Sequence, residues 1–338
     1  MPSNKWDWIR SRTKTGKHLL IVMAAAALMA AVLSGALAEA PVPADAHVLM
    51  SDMPAGNYRN PSAGLYAPAL VLGSEIRRDQ VLSITFADSL ADAPEDAWDV
   101  SAAKDGSVLA WTTPADAPEE VLGYAYSAMQ AEYVPQPVAP EGDYFELTIG
   151  SEGGVLASAD CSYLFAAYLN LRTIHTNGCF DTSNATDMKC MFLEDQSLEE
   201  ADVSGFDTSN VTDFSQMFYR CEGLRALDVS GFNTAKAVNM ERMFASCGAL
   251  AALDLSGFDT SEVTDLSYMF WLCGSLTELD LTSFDTSKAE RMERMFTMDE
   301  NLARILVSEN FIIREGTDIP AMFYACPAEE LTVVEAGR

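Results

Sequence analysis

Acidic and hydroxyl side chains recur in this chain at a fixed interval. Asp202, Asp228, Asp254 and Asp280 stand 26 residues apart, and Ser204, Ser230, Ser256 and Thr282 each follow two residues later. Carboxylates and hydroxyls held in register can exchange hydrogen bonds with a partner and attract a basic one. Stacked strands lie about 4.8 Å apart, so four aligned carboxylates repel one another and folding gains nothing from them. These eight residues are therefore the candidate binding face. The competing reading is a solvated surface that water and salt screen.

Other chemistry finds little support. His18, His47 and His175 are the three histidines, and none has a second histidine nearby in sequence. A histidine-based metal site is not expected. Calcium takes about six to eight oxygen ligands, and carboxylates placed once per repeat supply these poorly. Carboxylate pairs are too abundant here to mark a glycosidase. The expectation is a non-enzyme with no catalytic residues, no metal and no cofactor.

Seven cysteines, Cys161, Cys179, Cys190, Cys221, Cys247, Cys273 and Cys326, include no CxxC pair. Cys221, Cys247 and Cys273 share the 26-residue interval and read as a column of small buried residues. A spacing of about 5 Å between stacked coils also lies within reach of a disulfide.

The element that must position all of these is the repeat itself. Leu198, Leu224, Leu250 and Leu276 keep its frame, as do Phe180, Phe206, Phe232, Phe258 and Phe284 and the Met-Phe pairs beginning at 191, 217, 243, 269 and 295. A fixed period in this range implies a solenoid whose coils share one core. Leu224, Leu227 and Val229 give the pattern of a leucine-rich-repeat strand, with Leu227 and Val229 inward and Asp228 and Ser230 outward. Val211, Phe214, Phe218 and Cys221 then follow helical spacing, with Ser209 or Asp213 as its start. The expected fold class is α/β: a leucine-rich-repeat-type solenoid with one short strand and one short helix per 26-residue coil, capped N-terminally by β-hairpins. The Met-Phe column reads as core, and the Asp-Thr-Ser column, as at 207–209, as a ladder of turn hydrogen bonds.

Five segments are expected: 1–38 a signal peptide, 39–69 a linker, 70–160 a β-rich N-terminal cap, 161–330 the solenoid and 331–338 a C-terminal tail. The first has basic residues, an apolar run from Leu19 to Leu37, and Ala36 and Ala38 as small residues for cleavage; kept uncleaved, the same run would be a membrane anchor. In the cap, residues 81–86 alternate like a strand. Asp105-Gly106 marks a hairpin across which Trp98 and Trp111 could pair, and Tyr144–Ile149 with Val155–Ser158 marks a second. Residues 112–143 read as a connection rich in proline and acid.

The formal net charge is −29 and the pI about 4.2. Loss of the first 38 residues removes Lys5, Arg10, Arg12, Lys14 and Lys17 against Asp7 alone, leaving a still more acidic chain. Such a charge excludes nucleic acid and anionic lipid as partners and favours a basic one. Membrane contact would come only through the N-terminal segment, if uncleaved.

The stretches FDTSNVTDFSQMFYRCEGL, LDLSGFDTSEVTDLSYMFWLCGSLTELDL and AWDVSAAKDGSVLAW resemble the BspA-like leucine-rich-repeat surface proteins of bacteria, over roughly residues 70–330. The resemblance implies an exported protein, extracellular or on the cell surface, that binds an extracellular or host protein in an adhesin-like manner. The alternative is a structural or self-associating envelope component without a foreign ligand. Nothing in the resemblance implies a catalytic residue.

Overall fold

The structure is a computed structural model that describes residues 49, 70–72, 74–127, 132–328 and 331–334. All of these fall in one compact unit, His47–Arg338. The expected signal peptide, and the linker apart from Leu49, lie outside the described residues.

Among the described residues, thirteen strands supply the regular structure: β1 (Val81–Ala87), β2 (Trp98–Asp99), β3 (Leu109–Ala115), β4 (Val121–Ser127), β5 (Glu132–Val138), β6 (Tyr144–Gly150), β7 (Val155–Leu156), β8 (Thr173–His175), β9 (Phe180–Asp181), β10 (Glu200–Ala201), β11 (Glu278–Leu281), β12 (Arg304–Val307) and β13 (Leu331–Val333). A mixed six-stranded sheet runs in the order β10-β8-β1-β6-β3-β2, and β11-β12-β13 form a parallel sheet at the far end. Residues 331–333, grouped with the tail from sequence, thus pair with β12.

The N-terminal block stands in for a coil preceding the first. β1 pairs in parallel with β8, and β7 with β9, so both halves of the first coil meet a partner strand. A bulge between Val81 and Ser83 shifts the parity of β1, which is how Val81, Ile84 and Phe86 all reach the core. The Asp105-Gly106 hairpin is present, but its register sets Trp98 opposite Ala110. Trp111 therefore faces the other side of the sheet, and the expected Trp98–Trp111 pair does not form. The second expected hairpin is replaced. β6 pairs with β1 and β3, and left-handed Gly153 and Gly154 turn the chain away so that β7 joins β9. Part of the presumed connection forms the hairpin β4–β5.

The helix expected in each coil is absent among the described residues, so the expected α/β class is overturned in favour of strands and turns. Among the described residues the only helical element is the 3-10 turn Arg78–Gln80. The coil at 211–221 shows why. The amides of Phe214, Gln216, Phe218 and Arg220 donate to the carbonyls of Asn239, Glu241, Met243 and Ala245 in the next coil. Those of Met217, Tyr219 and Cys221 donate three residues back, to Phe214, Gln216 and Phe218. An α-helix spends its N–H groups four residues back along its own axis; here every second one leaves the coil. The turns close because Gln216 and Arg220 adopt left-handed φ of 59° and 65°. Arg242 and Ser246, Tyr268 and Leu272, and Arg294 and Met298 repeat this in the following coils. Successive tight turns place residues three and four apart on one side, which mimics helical spacing in the sequence. The strand half is corrected too. Leu227 and Val229 are buried, but around them only an isolated bridge between Glu200 and Ala226 marks the pairing.

The core is a set of columns. Phe165, Phe192, Phe218, Phe244, Phe270, Phe296 and Phe323 stack with centroid separations of 5.1–6.0 Å. No disulfide joins the cysteines; the Cys221, Cys247 and Cys273 thiols each donate to a phenylalanine carbonyl of the preceding coil. Burial pushes the Cys247 thiol up to about 12, so it stays protonated.

Between coils, buried threonines act as clasps. The Thr234 hydroxyl donates to the Asp259 carbonyl at 2.9 Å and accepts from the Asp259 N–H at 2.8 Å. Thr208, Thr260 and Thr286 do the same to the residue that follows in the next coil. Thr234→Val keeps the shape and orphans both backbone groups, so urea unfolding should show a loss of about 2–3 kcal/mol. At the left-handed Ser246, glycine should raise stability by up to about 1 kcal/mol and valine should lower it, which thermal melts of the two variants would compare.

Candidate functional site

Each candidate carboxylate is engaged by its own coil. Asp228 Oδ1 accepts the Ser230 N–H at 3.1 Å and the Ser230 hydroxyl at 2.6 Å. Asp280 holds Thr282 in the same way, at 3.0 and 2.6 Å. Asp254 accepts the Ser256 N–H at 3.0 Å. Asp202 receives the Ser204 hydroxyl, and its second oxygen accepts the Thr176 hydroxyl of the first coil at 2.7 Å. At Asp228, Asp254 and Asp280 these are Asx turns, in which a short acidic side chain mimics a backbone carbonyl; Asp202 accepts hydroxyls instead. Gly231 and Gly257 follow, because a Cβ at either would lie 3.1 Å from a serine carbonyl one coil back.

The electrostatics follow from this geometry. The Ser230 hydroxyl and N–H hold the Asp228 carboxyl below its usual range, against a smaller opposing effect from Asp254. The Ser256 hydroxyl and N–H do the same for Asp254, and the Thr176 hydroxyl leads for Asp202. Local hydrogen bonding outweighs repulsion along the column. The expectation that folding gains nothing from these aspartates is therefore overturned: Asp228, Asp254 and Asp280 shape the bend that ends the strand-side segment, and Asp202 ties its coil to Thr176 of the first. Asp228, Asp254 and Asp280 are nonetheless exposed, with Oδ1 taken by the turn.

The same chemistry recurs at two further repeat positions. Asp207, Asn233, Asp259 and Asp285 accept the N–H two residues on, as do Asp187, Asp213, Asn239 and Asp265. Much of the chain's acidity is thus turn chemistry. The reading of Asp-Thr-Ser as a hydrogen-bonded ladder matches this geometry, with aspartate shaping the turn and threonine bridging the coils.

Two features escaped the sequence reading. The first is Arg78, 1% exposed, whose guanidinium donates to the carbonyls of Ala166 at 2.7 Å and Tyr163 at 3.1 Å. In later coils the carbonyl equivalent to Ala166 takes an amide from the coil before: Leu193 from Ala167, Tyr219 from Glu194, Ala245 from Arg220. The first coil has no such neighbour, and Arg78 supplies the donor. No local motif marks it. The second is the pair Asp195 and Asp299, buried in the core; counting 26 residues from Cys221 and Cys273 would have found them. A cleft of about 720 Å³ is lined by Asp116, Glu119, Glu120, Arg172 and Ser197 among others. Among the described residues, no group of three or more His, Cys, Asp or Glu is placed to hold a metal ion, and no helix is long and apolar enough to cross a membrane.

One family model matches twice, over residues 159–252 and 227–333, together more than half the chain. The chain belongs to that family, described as Mycoplasma protein of unknown function, DUF285. No curated protein and no solved structure matches it.

The Asx turns predict a division between two substitutions. Asp254→Asn keeps the accepting oxygen and should melt with the wild type, whereas Asp254→Ala should melt lower, as read by circular dichroism.

Proposed function

We propose that this chain is an exported surface protein that binds other proteins, adhesin-like, through the face carrying Asp202, Asp228, Asp254, Asp280 and the hydroxyls of Ser204, Ser230, Ser256 and Thr282. The observation that carries the reading is the row of exposed Asp228, Asp254 and Asp280 carboxylates, fixed by Asx turns on stacked coils. One oxygen of each shapes the turn, and the carboxylate keeps its charge toward solvent. Little side-chain entropy remains to be lost when a basic partner docks, and complementary charge speeds its approach. The resemblance to BspA-like surface proteins and membership of the DUF285 family accord with this role.

The test separates charge from shape. Asp228→Asn, Asp254→Asn and Asp280→Asn, combined, keep every turn acceptor and remove three charges. Binding of residues 39–338 to immobilised basic extracellular-matrix proteins should weaken at least tenfold, mostly through the on-rate, with the melting temperature unchanged. Unchanged affinity would move the site off this face.

A further inference from the structure

The position of Cys221, Cys247 and Cys273 extends at the same interval in both directions, to Asp195 before it and Asp299 after it. Both aspartates are 0% exposed. In each, Oδ1 accepts the N–H of the residue at the same position one coil earlier, Tyr168 at 2.8 Å and Cys273 at 2.7 Å. In each, Oδ2 has no hydrogen-bond partner among the described residues. From Asp195 to Asp299 the column thus runs acid, three thiols, acid, and the buried thiol of Cys326 follows one coil on.

An ionised carboxylate there would be a buried charge with half its acceptor capacity unmet, which is strongly unfavourable. A neutral carboxyl keeps the Oδ1 contact without that cost. The charged and titratable neighbours can be named. Asp195 faces the Arg78 guanidinium, which favours the anion, and Glu194, which opposes it; the Cys221 thiol adjoins it. Asp299 meets the Cys273 N–H and the Cys273 thiol, with no cation to offset its burial. Burial raises Asp299 to about 8 and lifts Asp195 well above the usual carboxylate range despite Arg78.

We propose that Asp195 and Asp299 form a proton-linked lock in the core: as neutral acids they hold the coils at either end of the cysteine column, and ionisation releases them. The array is then tightest in mildly acidic surroundings. The sign follows from linkage. An unfolded aspartate ionises near pH 4, while folded Asp299 keeps its proton to about pH 8. Between those limits the folded chain holds a proton that the unfolded chain lacks, so stability falls as pH rises, then levels off. The surface aspartates Asp202, Asp228 and Asp254 act with the opposite sign, since their ranges are lowered. Their contribution is complete above the unfolded value, so they add no slope between pH 5 and 8.

The experiment is urea unfolding of residues 39–338 from pH 5 to pH 8 at constant ionic strength, for the wild type, Asp299→Cys and Asp195→Cys. Cysteine restores the side chain that the column uses elsewhere. The wild-type unfolding constant should climb by up to roughly tenfold per pH unit for each proton held. Asp299→Cys should lose about one proton's worth of that slope. Parallel profiles for the wild type and both variants overturn the proposal. Infrared spectroscopy keeps the test open if a variant fails to fold: the wild type at pH 6 should show a protonated carboxyl C=O band that disappears on alkalinisation. A wild type without that band overturns the proposal as well.

Discussion

The molecule depends on where every second amide of the turn segment sends its hydrogen. Phe214, Gln216, Phe218 and Arg220 direct theirs into the next coil, and the equivalent residues do likewise as far as Met292, Arg294, Phe296 and Met298. Once these bonds are committed between coils, a helix is no longer available, left-handed residues become necessary, and no coil can stand alone. The aromatic stack and the threonine clasps follow from the same register. Both require a partner one period away, so stability is a property of neighbouring pairs.

The acidity of the chain has a structural origin that its charge alone conceals. Up to three Asx turns per coil need short acceptors, and aspartate supplies most of them. Inter-coil ion pairs such as Glu194–Arg220 at 3.0 Å and Asp265–Arg291 at 2.6 Å balance some of the excess; both arginines are partly exposed, so each pair adds modestly. The candidate site is thus no separate decoration. It is the exposed remainder of side chains already recruited by the turns, which is why substitution there must preserve an acceptor before it can report on binding.

The period, the inward and outward residues and the buried columns were legible in the sequence, because burial repeats wherever the backbone repeats. The backbone path was not. Val211, Phe214, Phe218 and Cys221 are spaced as in a helix, and Asp213 does accept the N–H of Ser215 as a helix cap would. The same local chemistry starts a helix or a series of tight turns, and the choice is made by hydrogen bonds to residues 25 positions away. The candidate face was found by its interval, but its reason was misread, since the bonds that Ser230 donates to Asp228 depend on conformation. Arg78 was invisible because its partners, Tyr163 and Ala166, lie far along the chain.

Arg78 also shows that the turn segment has an electrical direction, although the flanking segments, such as Thr212 donating to Thr186 and Val238 to Thr212, send their amides the other way. Within the turn segment, the donors of one coil point to the acceptors of the next, so peptide dipoles add along the axis. The first coil therefore presents bare carbonyl oxygen, the negative pole. A buried cation at that pole is matched to the field as well as to the geometry, as a basic residue is at the end of a helix. The N-terminal block thus closes the array twice over, sterically through β1 and β7 and electrically through one guanidinium.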